Sequence, residues 1–153
     1  MNEVILSAEK YAEQGILKYD LGNYEESINL LTKAIEIDPN SIDTFNYRGK
    51  SHFYLRDYPK AISDFNKAIE IEPNYANIYC DRGIAYCSLN DLSNAIPDFT
   101  KAIELEPNYA EAYCNRGLAY KYSGYISKAC NDWRIAYSLG ITKAKNLLDK
   151  YCK

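Results

Sequence analysis

Equivalent residues recur every 34 positions along this chain: Gly15, Gly49, Gly83 and Gly117; Ala34, Ala68, Ala102 and Ala136; the aromatics Tyr11, Phe45, Tyr79 and Tyr113; and Pro39, Pro73 and Pro107, each followed by Asn. A fixed period of this length describes a stack of like supersecondary units, each burying its apolar face against the next, rather than one mixed core. Within a period the apolar residues follow helical spacing. Ile78, Tyr79, Ala85, Tyr86 and Leu89 mark one amphipathic stretch, and Leu92, Ala95, Ile96, Phe99, Ala102 and Ile103 mark a second. Asn90 and Asp91 part these two helices, as Gly22 and Asn23 or Gly124 do elsewhere, because such residues tolerate the left-handed backbone of a helix end. The second period carries Arg56 there, without a local reason. Pro stops the second helix, and the Asn after it is expected to cap the next, Asn108 with Glu111 reading as a capping box.

A close approach of the two helices explains the recurring small residues, since a Cβ at the contact would push them apart. Together the aromatic at repeat position 4, Gly at 8, an aromatic at 11, small residues at 20 and 27, a large apolar at 24 and Pro at 32 resemble the tetratricopeptide repeat family. The third and fourth repeats match most fully, through Tyr79, Gly83, Tyr86, Ala95, Phe99, Ala102 and Pro107, then Tyr113, Gly117, Tyr120, Ala129, Trp133 and Ala136. Repeats run over 8–41, 42–75, 76–109 and 110–143. A terminal unit needs a polar outer surface, and residues 141–151 supply one as a capping helix after Gly140. The resemblance implies an all-α superhelical solenoid of four helix-turn-helix repeats plus that cap, one domain over 1–153. Pro97 falls inside a second helix, where it removes a donor and crowds the preceding turn, so a late start at Ser93 or a local distortion is expected after Asp91.

The formal net charge of −3 disfavours nucleic acid or an anionic membrane as partner. No apolar run approaches membrane-spanning length, and MNEVILSAEK lacks the pattern of a leader, so a cytoplasmic protein is expected. The 5 Cys, an odd number confined to the C-terminal half, then read as reduced thiols. The single histidine, His52, fills an aromatic packing slot, no CxxC spacing occurs, and every repeat Gly stands alone rather than in a phosphate-cradling loop. These features leave no catalytic, metal or cofactor site to expect, and an enzyme is disfavoured.

Two positions change together between repeats. Position 7 is Arg and position 23 is Asp in three of them, as Arg48 with Asp64, Arg82 with Asp98 and Arg116 with Asp132, whereas the first repeat has Gln14 and Leu30. Both charges are present or both absent, which reads as a structural ion pair within each repeat.

The family resemblance implies a binding groove lined by the first helices, for a protein or peptide partner. The residues assigned to it are Glu13, Tyr19, Asp20, Asn46, Tyr47, Lys50, Phe53, Tyr54, Asn77, Asp81, Asn115, Lys121 and Tyr122. On that surface six acids (Glu9, Glu13, Asp20, Asp43, Asp81, Glu111) face two lysines, a charge of −4. With its aromatics this favours a basic or polar segment. Some family members clamp the C-terminal carboxylate of Hsp70 or Hsp90 with Lys, Asn and Arg. In the two possible registers this chain offers Ala12, Ile16, Tyr47, Asn77 and Asp81, or Asn46, Lys50, Asp81, Glu111 and Asn115, so acids stand where cations are required. A chaperone tail is therefore not the expected partner. Self-association into a homo-oligomer is the alternative use of such a module.

Overall fold

A computed structural model describes residues 7–153; MNEVIL, and with it the expectation of no leader, lies outside the described residues. The chain divides after Pro73 into two compact units. The first holds α1 (Ala8–Asp20), α2 (Tyr24–Ile37), α3 (Ile42–Tyr54) and α4 (Tyr58–Ile71). In it α1 packs on α2, α2 on α3 and α3 on α4. The second holds α5 (Ala76–Ser88), α6 (Leu92–Leu105), α7 (Ala110–Tyr122), α8 (Ile126–Ser138) and α9 (Lys143–Tyr151), with α6 packed on α5, α7 on α6, α8 on α7 and α9 on α8. The described residues are therefore all-α, two helix pairs in each unit with α9 following the last.

The pairs close as the small residues require. A Cβ built on Gly83 would lie 2.8 Å from the Phe99 ring, and one on Gly49 2.8 Å from Phe65. Phe65, Phe99 and Trp133 are almost wholly buried beneath Gly49, Gly83 and Gly117. Between α2 and α3 the contact is polar as well, Ser27 and Ser51 sharing a buried hydrogen bond of 3.0 Å.

The left-handed turn is present in every pair, at Gly22 (φ 77°), Arg56 (φ 64°), Asn90 (φ 58°) and Gly124 (φ 84°). Arg56 is thus the residue whose Cβ works against the backbone. Its side chain is exposed, so nothing offsets the cost. Arg56→Gly is expected to raise stability by about 1 kcal/mol in denaturant unfolding; an unchanged or lower midpoint would contradict the assignment of strain to this turn.

Four local expectations are corrected. The first helices of later repeats begin one residue beyond the expected Asn: Ser41 caps α3, accepting from the Thr44 amide, and Tyr75 and Tyr109 precede α5 and α7. Pro and Asn together form the turn, and the Asn40 amide donates to Asp38 Oδ1 at 3.0 Å instead of its side chain capping a helix. Second, α6 does not start late. Asp91 caps it at Leu92, two 34-residue steps from the Tyr24 that opens α2, accepting from the Asn94 amide and from the Ser93 hydroxyl at 2.6 Å. Burial of Ala95 and Phe99 fixes the register, and Pro97 occupies the sixth position with its ring exposed. Third, the thiols are not all reduced. Cys130 on α8 and Cys152 just after α9 form a disulfide, leaving Cys80, Cys87 and Cys114 free. The capping helix also starts at Lys143 rather than 141, with Ile141, Leu147, Leu148 and Tyr151 packed on the Cys114–Trp133 cluster around Ala144.

Candidate functional site

The charged positions paired in the sequence lie side by side. Arg48 donates from Nε and NH2 to the two oxygens of Asp64 at 2.9 and 2.7 Å, Arg82 to Asp98 at 2.8 and 2.6 Å, and Arg116 to Asp132 at 2.8 and 2.9 Å. The carboxylates are almost fully buried. A third guanidinium nitrogen reaches back to the preceding repeat, from Arg48 to Thr32 Oγ1 at 3.0 Å and from Arg116 to Thr100 Oγ1 at 3.1 Å. The fork geometry of arginine thus binds two helix pairs at once. Each guanidinium also stacks near the position-4 ring, Arg82 lying 5.5 Å from the Tyr79 centroid. His52 Nε2 is 4.0 Å from Asp64 Oδ2, and burial, partly opposed by that carboxylate, lowers its pKa. All three guanidinium nitrogens of Arg48 and of Arg116 serve contacts inside the fold.

In the first unit the N-terminal turns of α1 and α3 and the end of α2 enclose a cleft of about 220 Å³. Glu9, Glu13, Asp38 and Asp43 line it together with Ala12 and Ile16, and no basic residue contributes. Glu13 is thus brought together with acids from two other elements. Farther along the same face Tyr19 meets Tyr47 edge-on at 5.3 Å and Tyr54 at 5.9 Å, while Tyr24 of α2 stacks on Tyr54 at 4.7 Å. Phe53 packs edge-on to Tyr54, and Lys50 Nζ lies 5.6 Å from the Tyr47 centroid. Asp20 is exposed at the end of α1. Asn46, expected on the open surface, is buried instead, and its Oδ1 has no hydrogen-bond donor among the described residues.

In the second unit Asn77 and Asp81 lie half-buried on α5, and the Asn115 amide on α7 donates to Cys80 Sγ at 3.9 Å. Burial, reinforced by the Asp81 charge, pushes the Cys80 thiol up to about 12, and burial pushes Cys87 up to about 11. Neither thiol offers a nucleophile or a soft ligand at neutral pH. Lys121 is already committed, its Nζ standing 4.1 Å from the Tyr122 centroid and 4.9 Å from that of Tyr151. Between α5, α6 and α7 a cavity of about 440 Å³ opens, walled by Ile84, Cys87, Leu92, Asn115, Leu118 and Tyr122. Among the described residues no cluster of three or more His, Cys, Asp or Glu is placed to hold a metal ion, and no helix is long and apolar enough to cross a membrane.

Reading first helices alone misses Tyr24 and Asp38, which come from α2 and its C-terminal end. Their signal is the alignment of repeats itself: Tyr24 is the counterpart of Leu92, and Asp38 of Glu106, two periods on.

A comparison of the sequence with curated proteins gives no match. A family model described as TPR repeat matches residues 15–55 and 84–124, and tetratricopeptide repeat models match 42–75 and 65–96. Among solved structures, a crystal structure of MamA is 28% identical with a TM-score of 0.85, over 90% of this chain and 81% of that one. The first TPR of Spaghetti (RPAP3), bound to the HSP90 peptide SRMEEVD, is 30% identical with a TM-score of 0.75, over 77% and 94% of the two chains. TTC0263, a thermophilic TPR protein of Thermus thermophilus, shares the fold at 21% identity and a TM-score of 0.77, over 95% and 81%. The matched repeats, the helix pairs and these neighbours agree: the chain belongs to the tetratricopeptide repeat family, with the fold of a protein-interaction and assembly module.

Proposed function

We propose that this chain is a non-catalytic adaptor whose first-helix surface holds a segment of another protein, and that basic side chains of that segment enter the acidic cleft of the first unit. The observation that carries the reading is the convergence of Glu9, Glu13, Asp38 and Asp43 on one cleft without a compensating base. Like charges gathered on one cleft favour an incoming cation. Exposed carboxylates also steer a basic segment toward the surface from a distance. The aromatic part of the expectation is narrower. Tyr122 and Tyr47 already have lysines of their own chain near their rings, and Tyr54 is stacked on Tyr24, so carboxylates rather than rings supply the recognition of charge.

The RPAP3 domain was solved with a peptide ending in EEVD. Such an acidic tail is a poor fit to a cleft lined by four carboxylates, which supports a different class of partner for this chain. Calorimetric titration of a lysine-rich peptide tests the reading. Binding is expected to weaken about tenfold in Asp43→Lys and to fall with added salt, with free and amidated C-termini equivalent. Equal affinity in wild type and Asp43→Lys would remove the cleft from the account, and a strict need for the free carboxylate would restore the clamp.

A further inference from the structure

The two units differ where their helix pairs turn. In the first, Tyr19, Tyr24, Tyr47 and Tyr54 come together, with Tyr24 and Tyr54 stacked at 4.7 Å and 5° between planes. Two periods later the counterparts of these four residues are Cys87, Leu92, Asn115 and Tyr122, and all four line the cavity of about 440 Å³. Three of four tyrosines have thus been replaced by smaller side chains. Tyr122 keeps the ring but has lost the partner that Tyr54 has, because Leu92 stands where Tyr24 would, and it is 68% exposed against 54% for Tyr54. We infer that this cavity in the second unit is a pocket for one aromatic side chain of the bound protein segment, which takes the place that Tyr24 takes in the first unit and stacks on Tyr122.

The chemistry of the walls fits a ring. Ile84, Leu92, Leu118 and the Cys87 thiol present apolar surface, and Cys87, held protonated by burial, acts as a small hydrophobe. Ser88, Asn90 and Asn115 add polar groups to the lining, as an aromatic site with a phenolic or backbone contact needs. An aliphatic side chain would bury less area and gain nothing from stacking on Tyr122, whose ring has Lys121 Nζ 4.1 Å from its centroid but no aromatic partner such as Tyr54 has in Tyr24. The inference rests on reading the chain as a segment-binding module, and it adds the residue class that the segment must carry.

The test uses the whole chain and two kinds of probe. The first is p-cresol, the tyrosine side chain alone, followed through the methyl signals of Ile84, Leu92 and Leu118. Saturable shifts at these methyls are expected for wild type and not for Leu92→Tyr or for the triple variant Cys87→Tyr, Leu92→Tyr, Asn115→Tyr, which restores the side chains of the first unit. Methyls that do not respond in wild type would overturn the inference without recourse to any variant. The second is a pair of lysine-rich peptides differing only in one Tyr or Ala. The Tyr peptide should bind wild type about tenfold more tightly, and Leu92→Tyr should abolish that preference while leaving the Ala peptide unaffected. Equal binding of both peptides to wild type would overturn the pocket and spare the acidic cleft. If neither peptide binds, the cleft reading fails, and the p-cresol shifts still decide the pocket. Concentration-dependent self-association that disappears in Leu92→Tyr would assign the pocket to a second copy and overturn the inference of a foreign segment.

Discussion

Replacing Arg116 by alanine is expected to remove about 3 to 5 kcal/mol of stability, the cost of leaving a buried carboxylate without its counter-ion. Asp132 is only 2% exposed, and two guanidinium nitrogens hold it at 2.8 and 2.9 Å. Those bonds raise the pKa of Arg116 further above its ordinary value, burial opposing them. The substitution also removes the donor to Thr100 Oγ1, whose hydroxyl keeps its own bond to the Ile96 carbonyl, and uncovers the Tyr113 and Tyr120 rings, whose centroids lie 5.6 and 5.7 Å from the guanidinium carbon. An exposed pair gives the contrast: breaking Lys67–Glu70, where both side chains are more than half exposed, should change stability by about 0.5 kcal/mol or less. The first repeat holds Gln14 and Leu30 at the same positions, so the double variant Arg116→Gln, Asp132→Leu should recover much of the loss. Denaturant midpoints of the three proteins check this. A loss below about 1 kcal/mol in Arg116→Ala would mean that water reaches Asp132 and that the pair is only a surface feature.

Opening the disulfide has the next largest expected effect. Cys130 and Cys152 are 22 residues apart, and releasing a loop of that size from the unfolded chain costs about 3 kcal/mol in the chain-entropy account. The loss should concentrate in α9, a helix of 9 residues that is too short to persist without its anchorage. Its remaining hold is mainly apolar, through Ala144, Leu147, Leu148 and Tyr151 against Trp133 and its neighbours, with Lys121 Nζ 4.9 Å from the Tyr151 ring centroid. Comparison of oxidised protein with Cys130→Ser by thermal unfolding and amide exchange checks the point. A lower midpoint and faster exchange of the α9 amides are expected; identical exchange in the two proteins would show that packing alone fixes the helix.

The period made the helix pairs legible because each small residue has a partner to make room for: Gly83 needs its smallness only because Phe99 lies beneath it. The covarying charges were legible for the same reason, since a buried charge without its counterpart is costly enough that the two must be kept together. Their bonds to Thr32 and Thr100 were not. A hydroxyl at one position in two repeats carries no charge to balance, and its role appears only when the next pair is stacked. The disulfide was hidden because its cysteines lie on α8 and beyond α9, and only the packing of the cap brings them together. Of the candidate site, the acidic first-helix residues could be read directly. The cleft could not, because Asp38 comes from the end of α2, and the buried position of Asn46 depends on how its neighbours fill the face. The difference between four tyrosines and their replacements is present in the sequence, but it gains meaning only once Tyr24 and Tyr54 are seen to stack.

The central claim, that a basic segment lodges among Glu9, Glu13, Asp38 and Asp43, is tested most directly by following the backbone amides of the whole chain during titration with a lysine-rich peptide. Saturable shifts should appear in the first turns of α1 and α3 and at the end of α2, and should vanish in Asp43→Lys. Saturable shifts confined to other surfaces, with the amides of Glu9, Glu13 and Asp43 unmoved, would contradict the account.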